Sequence, residues 1–123
     1  MGRVIHFELS AKEPERAVRF YTDVFGWQIR KWEGPQEYYL ATTGPEGEPG
    51  IDGAILPAGE EGPKTVNTIG VEKIEDALSK TRQAGGQVVT EVTEVPGVGR
   101  FAYCLDTEGN QFGVIESTGQ GAA

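Results

Sequence analysis

The chain has 123 residues, 37% of them hydrophobic, with 19 acidic side chains against 11 basic ones and a formal net charge of -8. That length suits one domain with a core of its own, and the negative balance repels phosphate backbones and anionic lipid headgroups, which argues against nucleic-acid and membrane partners. No apolar run approaches a membrane span, no charged start leads into an apolar stretch, and Cys104 is the only cysteine, so a cytoplasmic protein without an internal disulfide is expected.

Residues 3–9 alternate as a strand, with Val4, His6 and Glu8 on one face and Ile5, Phe7 and Leu9 on the other. The apolar second face is expected to pack on a helix, leaving the mixed face open. Pro14 suits the first turn of that helix, and Glu13 and Glu15 suit its positive end. Ala17, Val18, Tyr21, Val24 and Phe25 recur at helical spacing until Gly26 stops the run. Residues 27–32 and 37–43 read as two strands joined across Gly34-Pro35. A surface loop at 44–50 and a fourth strand at 51–56 close the first module, about residues 1–57. The Gly, Glu and Pro of 58–64 predict a solvated linker.

After the linker the pattern restarts. Residues 66–71 read as a strand, and Ile74, Ala77, Leu78 and Thr81 carry a helix that Gly85-Gly86 ends. Strands are predicted at 87–91, 101–105 and 111–116, the last two joined by the turn Asp106-Thr107-Glu108-Gly109-Asn110. This second module covers about 65–117, and 118–123 reads as a flexible tail. Shifting one half onto the other by about 60 positions places Glu15 on Glu75, Ala17 on Ala77, Val18 on Leu78 and Gly26 on Gly86. The economical reading is an α+β domain of two tandem β-α-β-β-β modules, whose helix-free faces form a curved mixed-sheet cup.

The segments Ile5-His6-Phe7-Glu8-Leu9, Pro14-Glu15-Arg16-Ala17-Val18-Arg19-Phe20-Tyr21, Val24-Phe25-Gly26-Trp27 and Asp106-Thr107-Glu108-Gly109-Asn110-Gln111-Phe112-Gly113 occur in this order and spacing. Together they resemble the vicinal oxygen chelate superfamily, which includes glyoxalase I, bleomycin-resistance proteins and extradiol dioxygenases. The resemblance covers nearly the whole chain. It implies a small-molecule cup, frequent homodimers and, in metal-dependent members, one divalent ion held by His, Gln or Glu from inward strand positions. Such an ion polarises substrates with adjacent oxygens.

Carried over residue by residue, that ligand set is mostly missing. His6 matches the first position. The second falls near Ala54 or Ile55, with Asp52 the only nearby carboxylate. The third is Val66, whose same-face neighbours Thr68 and Gly70 do not replace an imidazole, and the fourth is Gly113. Strand parity turns Glu116 away from the cup, so Asp52 and Glu116 are fallback ligands only. A divalent site needs three or four protein ligands, so a degenerate metal site and no resident cofactor are expected.

Other side chains have their own readings. His6 is expected as a hydrogen-bonded wall residue able to serve as a general base. Glu8, one pleat away, could join it in acid-base work, although a surface ion pair with an arginine is the default. Alternation lets one of Tyr38 and Tyr39 face the groove, beside Tyr103. Arg100, after Pro96-Gly97-Val98-Gly99, could bind an anionic group or gate the cup, and Cys104 is expected as a buried, inert thiol. The residues favour a protein that binds a small organic molecule, and the resemblance implies a homodimer. The alternative is a metal-dependent lyase or isomerase of glyoxalase type using His6.

Overall fold

The computed structural model describes residues 2–117; the tail expected at 118–123 lies outside them. The described residues form two compact units, one running from His6 to Thr65, the other taking residues 2–5 and 66–117.

In the first unit, β1 (Arg3–Ala11, here from His6 onward), α1 (Pro14–Phe25), β2 (Gln28–Lys31), β3 (Tyr39–Thr42) and β4 (Asp52–Pro57) follow in order. The strands lie β2-β3-β4-β1, antiparallel except for the parallel pair β1 and β4. Proline opens α1, and Gly26 closes it at φ 74°, donating its N–H to the Thr22 carbonyl at 3.0 Å. A left-handed residue there favours glycine, which has no Cβ to clash. The register puts Phe7, Leu9, Tyr39, Ala41 and Ile55 on one face. That face carries α1: Trp27 stacks on Tyr21 with centroids 4.6 Å apart and tilts against Phe7. Val24 and Phe25, expected on the apolar stripe, are instead exposed.

Residues 58–64 are more ordered than a solvated linker. Gly62 closes a turn onto Gly59, and the segment is stitched to β1 because Ser10 N–H donates to the Lys64 carbonyl while Lys64 N–H donates to Ser10 Oγ. Small polar Ser10 supplies the second of these bonds, which the local sequence composition does not reveal.

The second unit holds β5 (Thr65–Val71), α2 (Ile74–Gln83), β6 (Gln87–Val88), β7 (Thr93–Val95), β8 (Gly99–Leu105) and β9 (Gln111–Ser117). Its strands lie β5-β9-β8-β6, with β7 on β8; β5 and β9 are parallel and the remaining pairs antiparallel. Ile74 and Leu78 from α2 pack on Ala102, Cys104 and Val114, with Val71, Val88 and Phe112 around them. Burial pushes the Cys104 thiol up, away from the reactive thiolate. The expected strand at 87–91 ends early, because Val89 and Thr90 N–H both converge on the Tyr103 carbonyl. Two donors on one acceptor break the ladder much as a bulge does. Strand β7, which the sequence pattern does not announce, then pairs with β8 ahead of the Pro96-Gly97 turn.

Candidate functional site

His6 and Glu8 lie two residues apart on β1, on the face opposite α1. The parallel register pairs His6 with Asp52 and Glu8 with Ala54, and Leu40 pairs with Ala54 from β3. Alternation from Leu40 brings Tyr38 to the same face, and three side chains meet there. The Tyr38 hydroxyl donates to Glu8 Oε2 at 2.9 Å and lies 3.2 Å from His6 Nε2. Glu8 is 7% exposed, so it is not the surface residue expected, and its carboxylate accepts a hydrogen bond from the Tyr38 phenol.

Burial holds the His6 imidazole below its ordinary pKa, against the opposing charges of Glu8 and Asp52, so it is neutral at pH 7. Asp52 Oδ1 accepts from Thr43 N–H at 2.9 Å and from Thr43 Oγ1 at 3.3 Å, which ties it to the start of the 44–50 loop.

Tyr39 goes the other way. It lies on the α1 face, buried, with its hydroxyl beside Glu37 at 3.1 Å and Glu15 at 3.4 Å. Burial and then those carboxylates raise its pKa. Its predicted ligand-binding role is therefore corrected to a tether between β3 and α1.

In the second unit, Tyr103 pairs with Gly113, Phe101 with Ile115 and Thr68 with Gly113, so these residues share the face opposite α2. Phe101 and Tyr103 meet edge to face, centroids 4.7 Å apart. A Cβ on Gly113 would stand 2.6 Å from Phe101 Cζ. The space in which a longer side chain would start is taken by an aromatic ring.

Arg100 and Glu116 face α2, which corrects the reading of Arg100 and is the direction that strand parity predicts for Glu116. The Arg100 guanidinium is paired with Glu75 and, at 3.3 Å, with Glu116. Glu116 Oε1 also accepts from Ile74 N–H at 2.9 Å. Parity accounts for both positions, since Arg100 and Glu116 lie opposite each other on β8 and β9. Neither an anion clamp nor a fallback metal ligand is available from them.

A family model described as the glyoxalase/bleomycin resistance protein/dioxygenase superfamily matches residues 3–114. The chain belongs to that superfamily. Within it, the chain is 30% identical to a putative glyoxylase, CFP32, of Mycobacterium bovis, over 97% of this chain but only 46% of the relative's length. It is also 30% identical to a lactoylglutathione lyase of Salmonella typhimurium, over 97% of this chain and 96% of the relative. The superfamily fold recurs in a methylmalonyl-CoA epimerase of Mycobacterium tuberculosis at TM-score 0.70 and 14% identity, covering 98% and 91% of the two chains. A methylmalonyl-CoA epimerase bound to methylmalonyl-CoA and ammonium superposes at TM-score 0.72 and 13% identity, covering 96% of each chain.

The superfamily's metal can be tested against these donors. Ala54 and Val66 carry no ligand atom, Gly113 carries no side chain and lies under Phe101, and Asp52 is engaged by Thr43. Among the described residues no three His, Cys, Asp or Glu side chains gather as a metal-binding group. The donor set does not fit a resident divalent ion. Sequence reasoning missed two residues here: Phe101, whose parity with Tyr103 was the available signal, and Glu75, the acidic first-turn residue facing Arg100.

Proposed function

We propose that this superfamily member binds a small organic molecule on the face carrying His6, Tyr38 and Glu8, without a resident metal, as a cytoplasmic homodimer. The observation that carries the reading is the meeting of the Tyr38, Glu8 and His6 side chains on one face of the first unit. Their phenol, carboxylate and imidazole are the few polar groups that orient a ligand in such sites. Elemental analysis of protein purified without added metal should find well under one divalent ion per chain, removed by mild chelation. A compound identified by thermal-shift screening should bind stoichiometrically, be recovered unchanged, and lose affinity in His6→Ala. Near one equivalent of ion surviving the chelator overturns the proposal.

A second reading is catalysis of glyoxalase type. The name of the Salmonella relative and the neutral imidazole of His6, suited to general-base work, favour it. Its mark is lactoylglutathione formation with added divalent metal, abolished by His6→Ala.

A further inference from the structure

The hydrogen bonds around Tyr38 fix more than distances. A phenol has one proton to give, and a carboxylate can only accept. Tyr38 donates to Glu8 Oε2 at 2.9 Å, so toward His6 Nε2, at 3.2 Å, its oxygen is left as an acceptor. Nε2 must then carry the imidazole proton. The competing arrangement turns the hydroxyl toward a bare Nε2 and leaves buried Glu8 without that donor. Hydrogen bonds to a charged acceptor are roughly twice as strong as neutral ones, and the Glu8 contact is also the shorter, so the first arrangement wins.

We propose that Tyr38 is a positioning residue that holds His6 in the Nε2–H tautomer, making Nδ1 the atom presented to a bound molecule. No hydrogen bond to Nδ1 is made among the described residues, and none of their buried side-chain nitrogens or oxygens lacks a partner, so Nδ1 reaches the surface. A lone pair on a ring that feels the negative charges of Glu8 and Asp52 receives hydroxyl, amide N–H or ammonium groups and repels carboxylates. The ligand class rests on the binding reading above; the tautomer stands on the hydrogen bonds alone.

His6 is the only histidine, so nitrogen-15 spectra of the labelled full chain report on one ring. In two-bond proton–nitrogen correlations at pH 8, Nε2 should resonate as a protonated nitrogen and Nδ1 as a bare one. In Tyr38→Phe the two shifts should move toward each other as the tautomers mix. Should that variant not fold, Glu8→Gln serves: its amide can donate to the Tyr38 oxygen, freeing the hydroxyl for Nε2 and swinging the proton to Nδ1. A wild-type Nδ1–H signal, or shifts that neither variant moves, overturns the tautomer. Titration with ethanolamine and with sodium acetate tests the ligand class separately. Ethanolamine should shift the Nδ1 signal and acetate should not; acetate acting, or neither acting, overturns the ligand class and leaves the tautomer standing.

Discussion

At His6, burial and charge pull in opposite directions, and burial prevails. Its folded pKa lies below the ordinary 6.5, with Glu8 and then Asp52 resisting the fall. The unfolded chain therefore binds more protons than the folded one between the lowered value and 6.5. Stability from this group is complete above 6.5 and drains away as the pH falls through that window. Following the Cε1–H resonance of the single histidine against pH should give a midpoint below 6.5. Glu8→Gln should lower it further, and Asp52→Asn should lower it by less. A midpoint that rises when Glu8 is neutralised contradicts this balance. Gly113 offers a second residue-scale test. A Cβ 2.6 Å from Phe101 Cζ overpacks the site, so Gly113→Ala should cost about 1–3 kcal/mol in urea unfolding. Adding Phe101→Leu should recover part of that loss, whereas additive effects would mean the ring is not the obstacle. Strand alternation made Tyr38 and Tyr39 legible as a facing and a buried member of one pair. The burial of Glu8 was not legible, because it depends on what lies over β1 and not on β1's own pattern.

At the scale of elements, the two helices begin differently. Neither Glu13 nor Lys73 caps its helix with a side chain. Helix α1 has Pro14, which needs no N–H partner in the first turn. Helix α2 borrows its cap from β9, where Glu116 Oε1 accepts from Ile74 N–H while Arg100 holds the same oxygen. Glu116→Ala should cost about 1–2 kcal/mol, the range of a lost N-cap, with faster amide exchange confined to the first turn of α2. Exchange spread evenly over the unit would argue against a local cap. Helix and strand order could be read from periodicity and the glycine stops, since Gly26 and Gly85 impose their geometry locally. Strand β7 could not, because three residues of mixed polarity owe their pairing to the β8 edge beside them. The cap by Glu116 was equally hidden, as donor and acceptor are far apart in sequence.

At the scale of the whole molecule, the excess of 19 acidic over 11 basic residues sets a competition that salt can resolve. Ion pairs such as Lys64–Glu61 and Arg16–Glu13 are exposed, and pairs of that kind contribute about 0–1 kcal/mol each before screening. Against them stands the mutual repulsion of a chain at net charge -8, which compaction intensifies. Salt weakens both, since the screening length falls from about 30 Å at 0.01 M to about 8 Å at 0.15 M. Repulsion between like charges scattered over the surface acts over the longer distances and is screened first, while pairs in contact keep much of their attraction. Raising sodium chloride from 0.01 to 0.15 M should therefore raise the unfolding free energy, read as a higher urea midpoint at constant slope. The gain should shrink in a variant where Glu46 and Glu48, in the exposed acidic loop, become glutamine. A midpoint that falls with salt would mean the local ion pairs outweigh the net charge, reversing the balance assigned here.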